Sequence, residues 1–168
     1  MNTPPLERRC KMCEKQRLHV MAHSDIPECA GVFVAVFSRD PWNEAWTIAG
    51  AETRLEAFFS TPGAYGTLAR SEGGSVLGFA MGHAEQWCRS QHFYLREMCV
   101  LPDRQREGIG SELFRALVEG LSKMNVSVVY LMTARESTAE AFYEKHGFDS
   151  NPDMVLMGRP IGPADKSH

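Results

Sequence analysis

The sequence predicts a mixed α+β fold: a mixed, mostly antiparallel central sheet with helices on both faces and a βαβ unit in its second half. Three observations carry this reading. A strand-like run at residues 93–101 leads through Pro102-Asp103 and Gln105-Arg106-Glu107-Gly108-Ile109-Gly110 into a segment where Leu113, Phe114, Leu117, Leu121 and Met124 recur at three- and four-residue steps. That spacing is one buried helical stripe. The β-branched, mostly apolar residues 126–132 follow, completing a strand, a helix and a parallel strand. Upstream, residues 67–70 and 76–81 flank Glu72-Gly73-Gly74-Ser75, a glycine-rich link suited to a hairpin turn.

In chain order, residues 1–16 are polar, charged and proline-bearing and are set apart as an N-terminal extension. The domain occupies residues 17–160, and residues 161–168 form a C-terminal tail. Residues 18–22 read as the first strand. Asp25-Ile26-Pro27-Glu28 then supplies a cap, an early-turn proline and a glutamate three residues on, which favours a helix through Phe37. The β-branched and aromatic content there also suits a strand, and the cap signal decides for helix. Residues 38–46, with Asp40-Pro41, break that element. Residues 47–59 read as a second helix with Leu55, Phe58 and Phe59 on its inner side. Residues 93–101 extend the meander begun by the hairpin. Residues 126–132 are expected to form a central strand covered on both faces. Residues 137–146 form a last helix, closed by Gly147 in the left-handed conformation, and Met154-Val155-Leu156-Met157 supplies a final strand. No repeats interrupt this order.

A chain of 168 residues fits one domain that buries about two thirds of its unfolded surface. A net charge of −3 and a pI near 6.1 argue against a nucleic-acid partner, which usually meets a basic face. The longest apolar run, residues 29–37, is far short of the roughly 20 residues that cross a bilayer, and no basic-then-apolar leader precedes it. A soluble, cytoplasmic protein without a membrane partner is expected. Five cysteines at irregular spacing do not make a disulfide framework. Cys10-Lys11-Met12-Cys13 has redox or metal spacing, but only His19 and His23 lie near enough in sequence to complete a site. Structural zinc wants four ligands, so no metal is expected.

The turn after residue 101 carries the chemistry. A helix start leaves about four backbone N–H groups without intrahelical partners, and their partial positive charge suits a phosphate. A phosphorylated ligand is expected there. The turn lacks the third glycine of a dinucleotide fingerprint and the Gly-Lys-Ser/Thr ending of an NTPase loop. A Rossmann-type oxidoreductase is therefore disfavoured.

The order Gln105-x-x-Gly108-x-Gly110 after a strand and Val100-x-Pro102 resembles the pyrophosphate loop of the GNAT superfamily of N-acetyltransferases. Ala139-x-x-Phe142-Tyr143-Glu144-Lys145-x-Gly147-Phe148 is similar to that superfamily's later helix and its Gly-Phe exit. The two blocks lie in the superfamily's order, and the resemblance covers residues 17–160. It implies a GNAT-like sheet, a βαβ core that binds acetyl-CoA as co-substrate, and acetyl transfer to an amine.

Acetyl transfer requires a neutral amine, a polarised thioester carbonyl and a proton for the departing thiolate. An alkyl amine has a pKa of about 10.4, so a base or a water chain must take its proton. Glu97 is the candidate base. A charge within an otherwise apolar strand asks for a partner or a role, and an ion pair with Arg96 or another cation is the structural alternative. By the resemblance, the backbone of Met98, Cys99 and Val100 holds the pantetheine arm as an added strand and supplies a carbonyl donor. The pyrophosphate meets the amides of Gln105, Arg106, Glu107, Gly108, Ile109, Gly110 and Ser111, with Arg104 or Arg106 adding charge.

Tyr143 matches the superfamily's usual acid for the thiolate, and a core tyrosine is its alternative. Ala139 belongs to the same helix block. Where many relatives carry Asn seven residues before the tyrosine, this chain has Glu136, and Ser137 or Thr138 can replace that contact to the arm. Cys99 invites a covalent acetyl-enzyme route, but no base stands beside it in sequence, so direct attack is favoured. Trp42, Glu44, Glu85 and Trp87, with His83, combine carboxylates and aromatic faces that suit a small cationic amine. The alternative is that the indoles cap the core. A protein N-terminus or lysine is a further acceptor class, and a non-catalytic acyl-CoA-sensing module is a different use of the same loop. The resemblance also allows a homodimer.

Overall fold

The structure is a computed structural model and describes residues 16–162. Its first helix, α1 (Ile26–Phe37), starts where the sequence predicts, by a different device. Asp25 has helical backbone angles and makes no side-chain cap. A single 3-10 turn over His23–Asp25 precedes it, and the Asp25 carboxylate accepts from the Ala22 amide at 2.8 Å and from Arg70 at 2.7 Å. Glu28, expected to reach back to the cap, also pairs with Arg70, at 2.9 Å. Two helices start as the capping rule describes. Thr47 accepts from the Gly50 amide at 3.0 Å to open α2 (Ile48–Phe59), and Ser137 accepts from the Glu140 amide at 3.1 Å to open α4 (Thr138–Lys145).

The sheet has the order β1-β2-β3-β4-β5. Strands β1 (Arg17–Val20), β2 (Ala64–Arg70), β3 (Val76–Trp87) and β4 (Ser90–Val100) form an antiparallel meander. The expected hairpin turn between β2 and β3 is closed by Ser71 N–H to the Ser75 carbonyl at 2.9 Å. Strand β3 runs to Trp87, beyond the apolar run that marked it in sequence. Helix α3 (Ile109–Ser122) then crosses over, and β5 (Val126–Tyr130) pairs parallel to β4, completing the expected βαβ unit. Gly147, with φ +85°, follows α4 in the left-handed conformation.

Two expectations fail. Strand β5 is not central: among the described residues it pairs only with β4, and Ser127 and Val128 are exposed. Its β-branched composition reports a fit to extended backbone rather than depth in the sheet. Met154 to Met157 form no strand, and each is at least 72% exposed. Four consecutive apolar residues offer no alternation and so no face to bury, and Asn151-Pro152-Asp153 before them favours a turn.

The sheet is packed on both sides. On one face Ile26, Cys29, Ala30 and Phe33 of α1 and Ala51 and Leu55 of α2 bury against Leu68, Phe79, Met81 and Cys99. On the other, Phe114, Leu117 and Leu121 of α3 bury against Ala80, Phe93 and Leu95, and Phe142 and Tyr143 of α4 pack on that cluster. A bulge in β4 lets one strand serve both faces. Met81 pairs with Glu97 and Gly82 with Leu95, so Arg96 is an extra residue. Phe93 and Leu95 therefore face α3, whereas Glu97 and Cys99 face α1 and α2. Only glycine fits opposite the bulge: a Cβ on Gly82 would lie 1.9 Å from the Tyr94 carbonyl oxygen.

Candidate active site

Strands β4 and β5 part company at Tyr94, whose partner Tyr130 is the last paired residue. β4 continues for six more residues bonded on its other edge to β3. The Leu101 amide donates to the Leu77 carbonyl at 2.8 Å, so antiparallel alternation turns the backbone groups of Cys99 and Glu97 toward β3 and those of Met98 and Val100 into the opening. Gln105 Nε2 donates to the Val100 carbonyl there at 3.1 Å. The opening is a sheet edge inside the molecule, where the Met98 N–H and carbonyl and the Val100 N–H are left for an added strand.

The start of α3 lies at the end of that same strand. A 3-10 turn at Pro102–Arg104 leads into Gln105 to Gly108, and Gly108 at φ +87° is the residue before the helix. The Gly108 carbonyl receives the first helical bond, from Glu112 at 3.1 Å, so the amides of Ile109, Gly110 and Ser111 have no intrahelical acceptor. A Cβ on Gly108 would meet nothing within 4 Å, whereas one on Gly110 would touch Phe142 at 3.4 Å and Met98 at 3.7 Å. The loop thus turns freely outward at Gly108 and packs closely at Gly110. Arg104 pairs with Glu107 at 2.9 Å within the loop, and Arg106, at φ +65°, is exposed.

Glu97 is 6% exposed and pairs with a cation, but not with its neighbour Arg96. Arg54, from α2, places both Nε and a terminal nitrogen 2.8 Å from the same carboxylate oxygen, Oε1. Among the described residues nothing hydrogen-bonds Oε2. Burial pushes the Glu97 carboxyl up, Arg54 and Arg96 pull it down, and Glu44 pushes it up further; burial prevails. The Arg54 guanidinium also lies over Phe58 at 4.8 Å and Trp46 at 5.5 Å, and Trp46 Nε1 donates to Glu44. This ties Glu44 to the same group.

Glu85 lies on the same face toward β5. It accepts from the Tyr130 hydroxyl at 2.7 Å, and its other oxygen is 3.1 Å from His83 Nε2. The Tyr130 bond, more than His83, holds its carboxyl below the usual range. Burial and Glu85 push Tyr130 up to about 12. Trp42 and Trp87 do not join this group: Trp42 packs on Phe37 at 5.5 Å, and Trp87, 57% exposed, stacks on His92 at 4.9 Å.

Tyr143 is half-buried, and among the described residues no group hydrogen-bonds its hydroxyl. Burial raises it well above an ordinary phenol, with the charges of Cys99 and Glu97 adding to the rise. It therefore stays protonated throughout the neutral range. Burial likewise raises Cys99, next to Cys29, which is pushed up to about 12. A thiol so placed is a poor nucleophile. Glu136, φ +58°, is exposed just before α4, and its amide donates to Glu140. Ala139 is half-buried in the first turn of α4. Cys10 and Cys13 lie outside the described residues, among which no cluster of three or more His, Cys, Asp or Glu could hold a metal ion.

Sequence reasoning missed Arg54 as the partner of Glu97 and Tyr130 as the partner of Glu85. Arg54 and Phe58 are four apart, one above the other on α2, a spacing that marks them as neighbours. Nothing local marks their meeting with β4.

Residues 32–148 match the Acetyltransferase (GNAT) family. The chain belongs to this family. A curated relative, the [ribosomal protein bS18]-alanine N-acetyltransferase of Escherichia coli K12, is 32% identical over 81 residues, 40% of this chain and 55% of that enzyme. The chain thus spans about half the length of the curated relatives it matches. Among solved structures, the aminoglycoside N-acetyltransferase AAC(6')-Iy in complex with CoA superposes with a TM-score of 0.71 at 14% identity, covering 90% of this chain and 99% of that one. An aminoglycoside acetyltransferase from an uncultured soil metagenomic sample gives 0.68 at 18% identity, covering 88% and 97%. At these identities the structures establish a shared GNAT fold.

Proposed function

We propose that this GNAT protein is an N-acetyltransferase that moves the acetyl group of acetyl-CoA to the primary amine of a small cationic molecule by direct attack. One observation carries the reading: the parting of β4 from β5 leaves the backbone groups of Met98 and the Val100 amide open directly before the unpaired amides at the start of α3. A pantetheine arm fits the first and a pyrophosphate the second. The Met98 N–H is the donor for the thioester oxygen, which gains charge during attack.

Glu97, through Oε2, takes the amine proton, either itself or through one water. The amine nitrogen then bonds the carbonyl carbon, and the carbon–sulfur bond breaks. The Tyr143 hydroxyl gives its proton to the departing thiolate, the nitrogen sheds its second proton to solvent as the amide forms, and solvent returns a proton to the phenolate. The raised Cys99 thiol favours this single transfer over an acetyl-cysteine. On one face the three carboxylates of Glu44, Glu85 and Glu97 outnumber the guanidiniums of Arg54 and Arg96, and the excess negative charge suits a cationic amine. No helix among the described residues is long and apolar enough to cross a membrane.

The similarity to the bS18-alanine acetyltransferase favours a second reading, a protein N-terminal amine as acceptor. Thiol release from acetyl-CoA, followed across polyamines, aminoglycosides, amino acids and short peptides, tests both. Amine-dependent release with small amines supports the first reading, and release with peptides alone replaces it by the second. Binding of CoA without release to any amine would make the protein an acyl-CoA sensor. Calorimetry showing no association with millimolar acetyl-CoA would end the proposal.

A further inference from the structure

Arg96 is the extra residue of the β4 bulge, and the bulge places it on the face shared by Glu97 and Glu85. Its guanidinium lies 4.1 Å from the Phe58 ring centroid and 4.6 Å from that of Tyr94. Tyr94 in turn stacks on Tyr130 at 4.7 Å, with 13° between the planes. Aromatic contacts fix a guanidinium's plane while leaving the N–H groups along its edge available.

Those N–H groups have no acceptor among the described residues. Of the two carboxylates that its charge reaches, Glu97 is held through Oε1 by Arg54, and Glu85 is held by Tyr130 and His83. Arg96 acts on both through space without pairing with either. A half-buried, orientationally fixed guanidinium with spare donors, one residue from the proposed base, is a receiver for a planar oxyanion.

We propose that the acceptor carries a carboxylate as well as its amine, and that Arg96 binds that carboxylate and so selects amino-acid-like acceptors. This rests on the acetyl-transfer reading above, keeps the cationic amine as the reacting group and adds a carboxylate to the acceptor that carries it. The carboxylate would engage the guanidinium edge through two parallel N–H···O bonds, holding the amine on the Glu97 side. A lysine in place of Arg96 keeps the charge but loses the planar fork, so it restores only part of the selectivity.

The test uses matched acceptors with the same skeleton: an amino acid, its amide and its decarboxylated amine. The expected result is a kcat/KM at least tenfold higher for the acid than for the other two, expressed mainly in KM. In Arg96→Gln this preference should fall to within about threefold, and Arg96→Lys should lie between. Calorimetry of the same amino acid into the CoA-saturated protein gives a readout that needs no turnover. Wild type should bind it, and Arg96→Gln at least tenfold more weakly. Equal kcat/KM for acid and amide, or equal binding by wild type and Arg96→Gln, would overturn the inference. Failure of every amine to release thiol, with amino-acid binding intact and Arg96-dependent, would instead defeat the transfer reading alone.

Discussion

Glu97 is pulled two ways: burial favours its neutral form, and Arg54 favours its charge. Because burial prevails, its folded pKa lies above that of a free glutamate, and protonation on the way down in pH removes the base. The rate kcat/KM should therefore fall on the acid side as Glu97 takes up a proton. Arg54→Ala removes the group that holds the charge in place, so the acid limb should move to higher pH, and Glu97→Gln should abolish it. A pH profile of Arg54→Ala superposing on wild type would take Glu97 out of the proton path. Tyr143→Phe should lower turnover at least tenfold and leave the Kd for CoA nearly unchanged, because the phenol's proposed task is to protonate the leaving thiolate. Unchanged turnover would end that role. Glu97 and Tyr143 were both legible in the sequence, one as a charge in an apolar strand and one within a motif. Arg54 was not, because it meets Glu97 across 43 positions and only the docking of α2 on the sheet brings them together.

At the level of elements, the turn before α3 is the part most constrained by backbone geometry. Gly108 at φ +87° has open space around its Cα, so an alanine there meets strain rather than a clash. That strain is about 1–2 kcal/mol. Gly108→Ala should either keep the turn at that cost or relax it and turn the following amides off their aim. If the turn relaxes, CoA affinity falls by about 5–30-fold; if it holds, the thermal midpoint drops by a few degrees. Calorimetry with CoA and a melting curve on the same sample distinguish the two, and no change in either would show that the left-handed residue does not shape the site. The α3 stripe, the hairpin and the crossover were legible because each is written locally, in a period, a turn or an order of elements. The edge position of β5, the exposure of Met154 to Met157 and the Arg96 bulge were not, because pairing partners and register arise from the whole sheet.

Across the molecule as a whole, the described residues build one sheet with an apolar layer on each face, and the site lies where β4, which contributes to both layers, is released from β5. Its geometry therefore depends on the two layers holding β4 together. Phe33 is 2% exposed in the α1/α2 layer, and Leu117 is fully buried in the α3 layer. Truncating either to alanine leaves a cavity and costs about 3–5 kcal/mol for the phenylalanine and about 2–5 kcal/mol for the leucine. For a chain of this size each kcal/mol lowers the midpoint by about 2–4 °C. The two side chains pack in separate clusters on opposite faces, so their effects should add within about 0.5 kcal/mol if the domain unfolds as one unit. Phe33→Ala and Leu117→Ala should each give one sharp transition, and the double variant one transition lowered by the sum. Two resolved transitions in the double variant would mean that the faces melt independently. In that case β4 could not tie them together, and loosening α3 would weaken CoA binding without disturbing the Arg54–Glu97 pair.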